Sequence, residues 1–189
     1  MPKTEGTSAL KDDEKFTLEQ RLAWPEDERW ELIGGVAYNM CASPTARHQR
    51  SAGKLYIDLC KFLDGKSCEA FHAPFDVFLP DGDEESTDTV VIPDVLVVCD
   101  PGKIQENGIH GAPDFIAELL SPSTAYKDLS NKKTLYERAG VREYWIINPD
   151  TGSVFPYVLK DGSYGAALEV LRGESIESAA LPGFVWRIS

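Results

Sequence analysis

Asp114-Phe115-Ile116-Ala117-Glu118-Leu119-Leu120 decides the architecture. Apart from its two carboxylates it is a continuous apolar run, the pattern of a central strand covered on both faces. Upstream, Val90-Val91-Ile92-Pro93-Asp94-Val95-Leu96-Val97-Val98-Cys99 has the same character, so residues 90–99 are expected to form one neighbouring strand. Downstream, Glu143-Tyr144-Trp145-Ile146-Ile147 reads as another buried strand. Two helices bracket this set. Ala52, Leu55, Leu59 and Phe62 recur at helical spacing in a segment opened by Ser43-Pro44 and closed by Gly65. A second helix is expected over 128–139, ended by Gly140.

Further out the signals are local. Thr17-Leu18-Glu19-Gln20 has capping-box spacing and opens a short helix that stops before Pro25. Residues 29–40 alternate on either side of Gly34-Gly35, a hairpin pattern. Residues 68–73 and 74–79 read as strands, 80–89 as an acidic, mobile loop, and 154–159, 168–171 and 183–188 as shorter terminal strands. One helix before and one after the middle strands gives an α/β or α+β fold, a mixed sheet flanked by helices with an N-terminal hairpin. The 189 residues fit one domain, taken as 15–189 behind a loose tail of 1–14.

Composition narrows the function classes. Hydrophobic residues make up 42% and charged residues 26%, which excludes a wholly disordered chain. No apolar run is long enough to span a bilayer and the amino terminus has no signal-peptide core, so a cytoplasmic location is expected. Cys41, Cys60, Cys68 and Cys99 form no close pair and read as reduced, mostly buried thiols. The net charge of −12 opposes non-specific binding to nucleic acid, so any such partner needs a local basic surface. Arg47, Arg50, Lys54 and Lys61 make one such stripe on the first helix. A stripe of this kind is more often simply a solvated face.

The chemistry concentrates where charge interrupts apolar sequence. Asp94 and Glu118 each divide a hydrophobic run, and a buried carboxylate costs several kcal/mol unless a cation or several donors satisfy it. Strand parity puts Asp114, Ile116, Glu118 and Leu120 on one face, and Asp94 on an adjacent strand can lie opposite Glu118. Asp128, Lys132 and Tyr136 recur every four residues, so Lys132 can reach back toward Glu118. The pair reads either as part of a metal site or as a plain buried ion pair. Lys133 points about 100° away, toward solvent. Glu31 is either a solvated hairpin residue or a third acid of the site. His48 reads as a packed core histidine.

These residues together resemble a bacterial family of restriction-endonuclease-like proteins in the PD-(D/E)xK nuclease superfamily. The resemblance rests on Ile92-Pro93-Asp94-Val95, on residues 112–124 with Glu118-Leu119-Leu120-Ser121-Pro122-Ser123-Thr124, and on Asp128, Lys132, Tyr136, Ala139-Gly140-Val141 and Glu143-Tyr144-Trp145-Ile146. Trp30-Glu31-Leu32-Ile33 and Pro74-Phe75-Asp76-Val77 extend it, and it covers residues 16–157. It implies a restriction endonuclease-like fold around a divalent metal, Mg²⁺ or Mn²⁺, held by Asp94, Glu118 and the Leu119 carbonyl. Lys132 would position the attacking water, and Glu31 would be the accessory acid. The motif's usual lysine position is Leu120 here, and Gly34 stands where an acid is usual. The implied activity is Mg²⁺-dependent endonuclease cleavage of DNA, the DNA held through Arg47, Arg50 and Lys54, with a homodimer by analogy. The alternatives are an inactive nuclease-fold binding or assembly module, favoured by the acidity and by Gly34, and a metal-dependent hydrolase of small phosphoesters.

Overall fold

The structure is a computed structural model that describes residues 15–25, 29–40, 44–80, 89–120 and 126–188, without the side chains of 126–130. The expected tail over 1–14 and most of the acidic loop lie outside the described residues.

Thr17 caps α1 (Leu18–Leu22): its hydroxyl accepts the Gln20 N–H, and the Gln20 side chain returns to the Thr17 N–H. The hairpin follows as β1 (Trp30–Ile33) and β2 (Val36–Asn39). Gly34 and Gly35 turn it at φ of 56° and 81°, the left-handed pair that a two-residue primed turn demands. Helix α2 (Ala46–Leu63) starts a little later than Ser43-Pro44, because Thr45 is its cap and accepts the His48 N–H at 3.2 Å. It buries Leu55, Leu59 and Leu63 together with His48.

After β3 (Glu69–His72) and β4 (Val77–Phe78), the single strand expected over 90–99 is instead two. β5 (Val90–Val91) and β6 (Val95–Val98) belong to different sheets. Pro93 has no N–H to give a ladder, and the Ile92 N–H goes to a Glu31 carboxylate oxygen at 2.8 Å, so the chain leaves one sheet and enters the other there. A 3₁₀ turn (Pro101–Lys103) leads to β7 (Ile104–Gln105) and β8 (Gly108–His110), which no apolar alternation announces. Then come β9 (Phe115–Leu119), α3 (Tyr126–Ala139), β10 (Glu143–Asn148), β11 (Ser153–Lys160), β12 (Ser163–Tyr164), β13 (Ser175–Glu177) and β14 (Val185–Arg187). The strand expected at 168–171 does not form; Leu168 and Leu171 are exposed, and only an isolated Val154–Val170 bridge marks the segment.

One six-stranded sheet has the order β12-β11-β10-β9-β6-β3, with β9 and β10 parallel and the other pairs antiparallel. The other runs β2-β1-β5-β4-β8-β7. The first sheet is mixed and covered on both faces. Phe115, Ala117 and Trp145 pack with Leu55 and Leu59 of α2, while Ile116 and Tyr144 pack with Tyr136 of α3. The expected alternation along 114–120 is therefore present.

The cysteine reading needs correction. Cys68 and Cys99 form a disulfide, and Cys60 carries an exposed free thiol. The β3–β6 register pairs Glu69 with Val98, so Cys68 and Cys99 meet at the adjoining ends of adjacent strands, a proximity hidden by 31 residues of sequence. Among the described residues no helix is long and apolar enough to cross a membrane.

Candidate active site

The break between β5 and β6 organises the site. Extending the β6–β9 register by one step from Val95↔Ala117 brings Asp94 opposite Glu118. Asp94 is fixed by the Leu119 N–H, which donates to Oδ2 at 2.8 Å, and by His48 Nε2 of α2, 3.3 Å from the same oxygen. Glu118 turns toward α3, where Oε1 accepts from Lys132 Nζ and from the Tyr136 hydroxyl, both at 2.8 Å. Lys132 also donates to Glu31 Oε1 at 2.7 Å. One ammonium thus bridges acids from β1 and β9, and all three side chains are almost sealed from solvent (Glu31 2%, Glu118 6%, Lys132 7% exposed).

Electrostatics follow from that count. Burial pushes the Glu118 carboxyl up, to about 7, against the pull of Lys132, and the charges of Asp94 and Glu31 raise it further. Burial alone would lower the Lys132 ammonium, but Glu118 and Glu31 outweigh it and hold it above its usual range. The hydrogen bond to Asp94 raises His48, against the opposing effect of burial. Burial, reinforced by Glu118, keeps the Tyr136 hydroxyl protonated far above its ordinary range. Lys132 thus meets two of the carboxylates, Glu31 and Glu118, while the third, Asp94, is met by His48.

A model for the family described as "Uma2: Putative restriction endonuclease" matches residues 18–189. The chain belongs to the Uma2 family. A curated relative, "Uncharacterized protein slr1290" of Synechocystis sp., is 30% identical over 124 residues, 65% of this chain and 62% of that protein. The Uma2 chain therefore matches less than two thirds of that relative's length. A solved structure described as a putative nuclease belonging to DUF820 from Anabaena variabilis superposes with a TM-score of 0.71 at 19% identity, covering 88% of this chain and 90% of that one. That likeness shows a shared fold.

Within this Uma2 chain the structure brings Glu31, Asp94, Glu118 and Lys132 to one place, with Lys132 supplied by α3 although Leu120 occupies the usual motif position. Glu31 is not a solvated hairpin residue. Asp114 is separate and structural, bonded to the Cys99 N–H and to Arg142. Lys133 is only half-exposed, its ammonium 4.7 Å from the centre of the Tyr157 ring. His48 is buried as expected but is not a purely apolar packing residue, since it touches Asp94. Nothing in a lone histidine beside Ala52 announces that contact. Tyr136 carries a readable signal, its place one turn after Lys132.

Among the described residues no three His, Cys, Asp or Glu side chains converge as a metal cage. The donor chemistry nonetheless suits a hard cation. Mg²⁺ takes oxygen ligands, one or two of them protein carboxylates, and leaves its other positions to water and phosphate. Asp94 and Glu118 offer carboxylate oxygens of that kind, Asp94 partly open at 21% side-chain exposure and Glu118 with Oε1 already engaged by Lys132 and Tyr136.

Proposed function

We propose that this Uma2-family protein is a divalent-metal-dependent endonuclease that hydrolyses phosphodiester bonds in DNA. The observation that carries the reading is Lys132, which reaches from α3 to join Glu31 and Glu118 in the buried cluster beside Asp94. Asp94 and Glu118 would hold Mg²⁺ or Mn²⁺, with the Leu119 carbonyl as a further oxygen, and the bound ion would supply an acidified water and positive charge toward a phosphate. Lys132 stays protonated at neutral pH, so it sets a fixed positive charge where the phosphoryl oxygens gain negative charge, and it orients the attacking water. Glu31 holds Lys132 in place, the Ile92 N–H holds Glu31, and Tyr136 fixes the rotamer of Glu118. These supports leave the reacting groups little freedom, which is what positioning requires. The DNA would lie along Arg47, Arg50 and Lys54 of α2, in the cytoplasm, and a homodimer would supply a second centre for the second strand of a duplex.

Purified Asp94→Ala and Glu118→Ala variants should keep the native far-UV circular dichroism and lose Mg²⁺-dependent cleavage of duplex DNA. Cleavage retained by either variant overturns the assignment. The engagement of Glu118 by Lys132 and Tyr136 gives the inactive binding or assembly module its best support. A thermal shift separates the two: stabilisation by Mg²⁺ or Mn²⁺ that disappears in Glu118→Gln supports the enzyme, and no response to either metal supports the module.

A further inference from the structure

On the exposed flank of α2 lies a cavity of about 270 Å³ lined by Arg47, Arg50, Ser51, Lys54, Arg172 and Trp186. Its cations come from two places far apart in sequence. Arg47, Arg50 and Lys54 share one side of α2 at offsets of three and four residues, and Arg172 arrives from the connection between β12 and β13. Arg172 lies across the turn between β10 and β11, so close that a Cβ on Gly152 would stand 2.5 Å from its Nε. Two carboxylates offset part of this charge: Asp150 pairs with Arg47 at 2.5 Å and Asp58 with Lys54 at 2.7 Å. No carboxylate among the described residues forms an ion pair with Arg50, and Arg172 likewise has none there. In a chain of net charge −12, four converging cations against two acids mark a place built for an anion. The cavity is too small for a duplex and ample for one phosphate with its sugar. The pocket and the acidic site share α2, since Arg47 is followed directly by His48, which touches Asp94.

We propose that this pocket seats one backbone phosphate of the nucleic-acid strand, flanking the phosphodiester that is cut at Asp94 and Glu118. The proposal rests on the nuclease reading for the identity of the strand and adds Arg172, a residue outside the helical stripe. The test uses the full chain in EDTA with a short fluorescein-labelled DNA duplex, followed by anisotropy across a salt series. The double variant Arg50→Ala/Arg172→Ala should bind about tenfold more weakly, with the slope of log affinity against log salt reduced by about one, the mark of one lost phosphate contact. Lys160→Ala, which removes an exposed lysine at the opposite end of β11 from this pocket, should change neither. Equal affinity and slope for wild type and double variant overturn the pocket, as does an equal loss in Lys160→Ala. Cleavage assayed in parallel with Mg²⁺ separates the two claims. Pocket-dependent binding by a wild-type protein that never cleaves supports the pocket and sinks the nuclease reading; cleavage with pocket-independent binding sinks the pocket alone.

Discussion

Lys132 joins two buried acids from different parts of the chain, so its removal does more than delete one ion pair. Lys132→Met leaves Glu31 and Glu118 facing each other without a cation, and the loss should be about 3–5 kcal/mol in urea unfolding, the usual cost of stranding a buried charge. Adding Glu31→Gln and Glu118→Gln to that variant should restore much of the stability; a triple variant no more stable than Lys132→Met would show that the charges are not the cause. Glu118 makes a pH-dependent prediction for the metal-free protein. Its folded pKa of about 7 lies above the unfolded value of about 4.5, so between those pH values the native state holds a proton that the unfolded chain has lost. Stability contributed at this residue therefore falls as pH rises through that window. In EDTA the stability of wild type relative to Glu118→Gln should decline from pH 5 to pH 8. A constant difference in urea midpoint across that range would show that Glu118 ionises as freely in the folded protein as in the unfolded one.

Two glycines separate the demands of different elements. Gly108 opens β8 at φ 143°, and a Cβ there would stand 2.4 Å from the Asp76 carbonyl oxygen, the same oxygen that accepts the Ile109 N–H. Gly108→Ala must push β8 away from β4, and about 2 kcal/mol or more of stability should be lost. Gly53 sits within α2, where an added methyl group would have no neighbour within 4 Å, so Gly53→Ala should raise stability by about 0.5–1 kcal/mol through the unfolded chain and helix propensity. Thermal denaturation of both variants checks the pair, and the same sign for both would refute the packing around one of them. The elements differ in how far sequence reveals them. α2, α3, β9 and β10 carry long periodic or apolar signals and form where those signals fall. β5 and β6 look continuous because their apolar residues are, and the interruption depends on Glu31, 61 positions before the Ile92 N–H that it captures. β7 and β8 are short and hold too few alternating residues to be distinguished from a loop.

Across the whole molecule, the legible part of the site consists of charges set against a local background: Asp94 and Glu118 interrupt apolar runs, and Lys132 repeats with Tyr136 on one helical face. Glu31 and His48 stand in ordinary local surroundings, and only the folded chain shows that they meet Lys132 and Asp94. The disulfide belongs to the same class, because its two cysteines become neighbours only through the β3–β6 register. That crosslink closes a loop of about 31 residues, which by chain-entropy reasoning restricts the unfolded state by about 3–4 kcal/mol. Reduction, or Cys99→Ser, should lower the urea midpoint accordingly. The acid cluster lies at the opposite end of β6, where Asp94 precedes Val95, and β6 remains paired with both β3 and β9 without the sulfur bond. Stability should therefore fall while the difference in pH dependence between wild type and Glu118→Gln persists. An unchanged midpoint on reduction would show that the crosslink adds nothing to the fold, and loss of that pH signature would show that it also holds the acids in place.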